Sequence, residues 1–114
     1  RRAARAPEPP AAEVRELNGL RVDVPRRRVT ADGVEVTLKP KEFDLLAFLV
    51  LHPGQVFARE AILARVWGFD YSGDSRTVDT HVKTLREKLH DRADRPRWLE
   101  TVRGVGYRLR EAAV

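Results

Sequence analysis

The 114-residue chain has no cysteine, which excludes a disulfide framework and any thiolate metal site. Its three histidines, His52, His81 and His90, are scattered rather than spaced as a ligand set, so no metal or other cofactor is expected. Long apolar runs are also missing. The longest, Leu45 to Leu51, is far too short to cross a bilayer, and the cytoplasm is the expected compartment. Catalytic constellations are absent as well: there is no Ser/His/Asp or Cys/His arrangement and no pair of carboxylates in an apolar setting. Gly104-Val105-Gly106 lacks the third glycine of a dinucleotide loop and lies between two β-rich runs rather than between a strand and a helix. An enzyme is not expected.

What remains is a composition of 42% hydrophobic and 34% charged residues, that of one soluble domain able to bury a core. The formal charge is +5, which favours a nucleic-acid partner over an acidic one. Its distribution is uneven. Residues 40–75 hold three bases against five acids, whereas residues 76–110 hold ten bases against five acids.

That basic half begins with SRTVDTHVKTLREKLH, residues 75–90. Val78, Val82, Leu85 and Leu89 recur at helical spacing and form one apolar stripe that needs a core. Arg76, Thr80, Lys83 and Glu87 keep the same spacing about half a turn away, flanked by Thr77 and Thr84 on one side and by Asp79 and Arg86 on the other. Asp74 or Ser75 is placed to accept from the free N–H groups of the first turn. The next run, LETVRGVGYRLR over residues 99–110, reads as two short strands around Gly104-Val105-Gly106, whose glycines permit the positive φ of a tight hairpin. Tyr107 and Leu109 face one way, Arg108 and Arg110 the other.

Upstream, residues 1–16 are Ala, Pro, Arg and Glu with almost no apolar anchor, and read as a flexible interdomain linker or tail. The chain opens on Arg rather than Met, as an excised fragment would. From Leu17 to Leu38 the period is two: Leu20, Val22 and Val24, then Val34, Val36 and Leu38, with turns at Asn18-Gly19, Pro25 and Asp32-Gly33. Three or four antiparallel strands with one buried face are predicted. Arg26-Arg27-Arg28 sits among them, either as a charge guard on an edge strand or as a phosphate contact. Pro40 opens a helix that carries Phe43, Leu46, Ala47 and Val50 on one stripe, with Leu45, Phe48 and Leu49 widening it, and His52-Pro53-Gly54 ends it. A second helix, from about Arg59 to Trp67, starts at Ala58, a poor N-cap. The loop from Gly68 to Asp74 is longer than a minimal helix-turn-helix turn.

These features together resemble the effector domain of OmpR/PhoB-type two-component response regulators. The resemblance rests on SRTVDTHVKTLREKL followed by ETVRGVGYRL and covers about residues 17–110, leaving 111–114 as a C-terminal tail. It implies an α+β winged helix-turn-helix with an N-terminal antiparallel sheet, three helices and a C-terminal β-hairpin wing. It also implies sequence-specific binding of double-stranded DNA for transcriptional regulation, with helix 75–90 in the major groove and wing 99–110 at the minor groove. By position, base contacts fall to Asp79, Thr80, Lys83 and Thr84. Phosphate contacts fall to Trp67, Arg76, Thr77, His81, Arg86 and Thr101. Trp67 also suits the core, and His81 an ordinary surface site. Arg103 beside Gly104 would lie at the minor groove, where arginine favours the narrow, negative channel. The loop residues Phe69, Asp70 and Tyr71 match where members meet RNA polymerase; the alternative is that the aromatics fold back on the core.

Several members carry Arg at the position of Thr84, which can take guanine bidentately; Thr offers one hydrogen bond or a methyl contact to thymine, so the site preference should differ. Members also carry an N-terminal receiver domain that is phosphorylated on aspartate and pairs two effector domains on tandem direct-repeat half-sites. That receiver is absent from this chain, which is expected to be monomeric. An activator with this domain and no receiver is the other arrangement the sequence fits. A basic winged helix that contacts protein or RNA is the competing reading.

Val82→Asp and Leu85→Asp each place an unpaired charge on the apolar stripe and should unfold the domain; a cooperative thermal transition retained near the parent temperature would show that the stripe does not face a core.

Overall fold

The computed structural model describes residues 14–111. Four short strands open it as an antiparallel meander: β1 (Val14–Leu17), β2 (Leu20–Asp23), β3 (Arg28–Ala31) and β4 (Val34–Val36), in the order β1-β2-β3-β4. The two-residue turns Asn18-Gly19 and Asp32-Gly33 have positive φ at both positions, the backbone that matches the twist of a tight hairpin. Leu20 and Val22 are fully buried and Val29 nearly so, as the alternation requires.

Three sequence expectations change here. Val14, Arg15 and Glu16, assigned to the linker, pair with Asp23, Val22 and Arg21 as part of β1. Hydrogen bonding along a ready-made edge outweighs their weak hydrophobicity. Residues 1–13 of that linker, and 112–114 of the C-terminal tail, lie outside the described residues. Val34 is 68% exposed although it alternates with Val36, because β4 is the last strand of its sheet and starts beyond the reach of the core. The three arginines do not guard an edge: they lie at the β2–β3 connection and the start of β3, an interior strand. Arg26 pairs with Asp23 and Arg28 with Glu35, while Arg27 reaches Asp44 at 2.9 Å with its guanidinium 4.6 Å from the centre of the Phe43 ring. Arg27 thus fastens the sheet to the first helix.

That helix, α1 (Pro40–Val50), has its proline in the first turn and buries Phe43, Leu45, Leu46, Ala47, Leu49 and Val50. It is followed by β5 (Phe57–Ala58) and α2 (Arg59–Ile62), which continues as a π-helical turn over Leu63–Trp67. The single helix expected over 59–67 is therefore split in register. Gly68, at φ 104°, ends it by donating its N–H to both Leu63 O and Ala64 O at 3.1 Å. Ala58 makes no side-chain cap.

The third helix, α3 (Arg76–Leu89), sinks Val78, Val82, Leu85 and Leu89 into the core. Asp74 caps it, its Oδ1 accepting the Arg76 N–H at 2.9 Å, and His90 stops it in the left-handed region at φ 58°. The chain then makes β6 (Leu99–Val102) and β7 (Gly106–Leu109), and β7 pairs on its other side with β5 to give the order β5-β7-β6. The two wing glycines do different jobs. Gly104 supplies the positive φ of the turn (74°), whereas Gly106 leaves room for a neighbour: a Cβ there would lie 1.9 Å from the carbonyl oxygen of Phe57. Helices between two antiparallel sheets, the second closing as a hairpin beside α3, make this an α+β winged helix-turn-helix.

Two groups lock the end of α3 to both sheets. Trp98 is buried and its indole N–H donates to Leu17 O at 3.1 Å, while Arg97 lies over its ring and grips Asp32 with both terminal nitrogens at 2.7 Å. The buried carboxylate of Asp91 accepts four backbone N–H groups, those of Arg92, Arg97, Trp98 and Leu99, at 2.7–3.1 Å. Asp91→Ala leaves those donors without their acceptor and should cost about 2–3 kcal/mol in denaturant unfolding; a loss below about 0.5 kcal/mol would mean water replaces the carboxylate at no cost.

Candidate nucleic-acid interface

Once its stripe is buried, α3 has a free face and two flanks. The centre of the free face is Arg76, Thr80, Lys83 and Glu87, all exposed. Arg76 pairs with Asp74 at 3.0 Å, and the Thr80 hydroxyl donates back to Arg76 O at 3.2 Å. Lys83 has no partner among the described residues. Arg103, exposed near the wing tip beside Gly104 and a half-exposed Val105, also has none.

The flank towards the wing carries Asp79 and Arg86. Asp79 Oδ1 accepts from the Tyr107 hydroxyl at 2.5 Å and from Arg59 Nε at 2.7 Å, so one carboxylate joins α3, β7 and α2. Burial pushes this carboxyl up, but the two donors more than offset it and hold it below the ordinary aspartate range. Burial, and then the adjacent carboxylate, push the Tyr107 phenol up. Arg86 donates to Leu99 O from Nε and Nη2, and to Thr101 Oγ1 at 2.8 Å, bracing β6 against α3.

The flank towards α1 and α2 carries Thr77, His81, Thr84 and Lys88. His81 lies edge-on to Trp67 with ring centres 4.9 Å apart, and its Nδ1 is 2.8 Å from Thr77 O. Trp67 is half-buried, and Lys41 beside it donates to Val66 O at 3.0 Å. Further along, the Thr84 hydroxyl donates to Glu42 Oε2 at 2.6 Å and Lys88 Nζ donates to Glu42 Oε1 at 2.6 Å. The same carboxylate accepts the Lys39 N–H at 2.8 Å, completing one half of a capping box on α1. Glu42 is only 2% exposed. Burial pushes its carboxyl up; the Lys88, Thr84 and Lys39 hydrogen bonds outweigh this and leave it below the ordinary glutamate range.

The structure therefore divides the residues that the sequence grouped. Of the four expected base readers, Thr80 and Lys83 stand on the open face, whereas Asp79 and Thr84 lie on opposite flanks with their polar atoms engaged inside the protein. Of the expected phosphate contacts, Arg76 and Thr101 are exposed, and Trp67, Thr77, His81 and Arg86 are half-buried. The two aromatics of the α2–α3 loop part company: Phe69 is 88% exposed and does not fold back on the core, whereas Tyr71, 40% exposed, turns its ring towards Trp67 with ring centres 6.4 Å apart. Sequence reasoning missed Glu42, Arg59 and the part Tyr107 plays. The only local signal for Glu42 was its place three residues after Lys39, at the start of a helix. Among the described residues no group of His, Asp and Glu is placed to hold a metal, and no helix is long and apolar enough to cross a membrane.

A winged helix whose third helix and wing tip each present an exposed cation without a partner among the described residues is the class that this fold and face define. The chain belongs to the family described as "Transcriptional regulatory protein, C terminal", whose model matches residues 33–109. It is 48% identical over 102 residues to the transcriptional regulatory protein SrrA of Staphylococcus aureus, covering 89% of this chain and 42% of SrrA. The chain thus spans less than half the length of that relative. Among solved structures it is similar to the Klebsiella pneumoniae RstA DNA-binding domain in complex with the RstA box, with 36% identity, TM-score 0.78, and coverage of 86% of this chain and 97% of that one. It is also similar to the Thermotoga maritima response regulator DrrB, an OmpR/PhoB homolog, with 33% identity, TM-score 0.78, and coverage of 86% of this chain and 44% of DrrB.

Because Glu42 is held below its ordinary range only in the folded chain, its contribution is present at neutral pH and lost as pH falls through and below that range. Urea unfolding should accordingly find Glu42→Gln less stable than the parent at neutral pH, with the gap narrowing by about pH 3. A gap that widens in acid would contradict the assignment.

Proposed function

We propose that this chain recognises a specific sequence of double-stranded DNA, as the effector domain of a phosphorylation-controlled response regulator. The observation that carries the reading is that Lys83, at the middle of an exposed helix face, and Arg103, on the wing, both stand exposed with no described carboxylate to neutralise them. A helix of this width fits the major groove, where a cation and a hydroxyl can meet base edges, and the wing then falls along the backbone towards the minor groove. That the RstA DNA-binding domain, of the same fold, was solved in complex with the RstA box supports DNA binding by this chain.

In this reading Thr80 and Lys83 face bases directly, with Asp79 and Thr84 at the edges of the contact. Arg76, Thr77, Trp67, His81, Arg86 and Thr101 hold phosphates and so fix register rather than choose sequence. Arg103 and Gly104 approach the minor groove. The receiver domain would be supplied by the part of the protein outside this chain, and would bring two copies onto tandem direct-repeat half-sites in the cytoplasm. Alone, the chain acts as a monomer.

A second contact has its own support. Phe69 is the most exposed large apolar side chain described, beside Asp70 and Tyr71 on one loop, and such a group on a loop tip suits a protein partner. RNA polymerase is that partner in this proposal.

Selection from a random duplex pool at two salt concentrations tests the reading. The parent should recover a short motif. Lys83→Ala should alter that motif, while Arg103→Ala should weaken all duplexes evenly and lower the salt slope by about one. Equal loss across all sequences for both variants would leave only a non-specific positive field.

A further inference from the structure

Thr84 is the position where the sequence leaves two kinds of contact open, a hydrogen bond to a base or a methyl against thymine. Its hydroxyl carries a single proton. That proton faces Glu42 Oε2 at 2.6 Å, with His81 O as a further acceptor at 3.2 Å, and both acceptors belong to the protein. Glu42 is not free to release it. Its carboxylate is buried between α1 and α3 and also serves Lys88 and the Lys39 N–H, so losing any donor would leave a buried charge less satisfied. At a tetrahedral Cβ, an oxygen held by the carboxylate leaves the methyl group in a different direction, not engaged by that hydrogen bond.

We infer that Glu42 is a positioning residue for recognition: by holding the Thr84 hydroxyl it makes Thr84 an apolar contact, so that the base pair opposite is chosen through the 5-methyl group of thymine. This rests on the reading of α3 as the major-groove helix and specifies what one of its edge positions prefers. Thymine is the base whose major-groove edge offers a methyl group, and threonine reads it by van der Waals contact.

The test combines side-chain and base substitutions on the motif that the parent selects. Thr84→Val keeps both branches of the side chain but no hydroxyl, and should select the same motif with affinity within about twofold. Thr84→Ser keeps the hydroxyl without the methyl, and should lose about fourfold at one position, the factor corresponding to one buried methyl group. Replacing thymidine by 2′-deoxyuridine at each thymine in turn should find one position where the parent and Thr84→Val lose that factor and Thr84→Ser loses nothing more. Glu42→Leu, which removes the acceptor as well as the charge, should alter preference at that base pair in the parent but not in Thr84→Val, which has no hydroxyl to release. A purely structural Glu42 would weaken every sequence equally in both backgrounds, and that result overturns the positioning role. The methyl assignment falls if Thr84→Val loses the motif while Thr84→Ser keeps it, or if no deoxyuridine substitution is sensitive to residue 84. A parent chain that selects no motif at all overturns the major-groove reading itself, and is distinct from both.

Discussion

Everything in this domain depends on burying one side of α3 without burying the other. Val78, Val82, Leu85 and Leu89 remove their apolar surface from water in a core that α3 shares chiefly with α1 and α2, and that burial keeps the helix seated. The opposite side must stay polar and uncovered. An isolated helix of this length would be marginal in water, so its presentation depends on the packing behind it. The strands, the first two helices and the wing act as the frame that fixes where those exposed side chains stand.

The flanks resolve the conflict between a dry side and a wet one. Each holds one carboxylate that gathers donors from separate parts of the fold. Glu42 draws Thr84 and Lys88 of α3 onto α1, and Asp79 draws Tyr107 of the wing and Arg59 of α2 onto α3. In each case the hydrogen bonds outweigh the burial that opposes ionisation, so both groups stay charged and the contacts keep their strength at neutral pH. A helix pinned along both edges cannot roll about its axis. Its exposed centre therefore points in one direction, which is what reading by position requires.

Much of this arrangement was legible beforehand, because it follows from periodicity. The stripe and its two flanks follow from helical spacing, the meander from alternation and paired turn residues, the wing from glycines between β-rich runs. What was not legible lies in contacts between distant segments. β5 is two residues long, too short to show any period, and exists because β7 needs a second neighbour. Glu42 looked like an ordinary charge at the start of a helix, since nothing near it in sequence reveals that Thr84 and Lys88 will arrive from more than 40 residues away. Thr84 and Asp79 looked like free polar side chains for the same reason. Phe69 went the other way: composition left it open between core and surface, and only the packing places it outside.

Gly106 has a mechanical consequence. With Phe57 O where its side chain would have been, β7 is seated against β5 with no clearance, and β5 leads straight into α2, whose first residue reaches Asp79. Wing and helix thus form a caliper with a fixed gap. In the proposed DNA-bound state, a duplex held by both jaws would have to bring its own groove spacing to that gap, and sequences that bend or narrow easily would do so at lower cost than stiff ones. Base pairs lying between the jaws, touched by no side chain, would then influence affinity through their compliance alone.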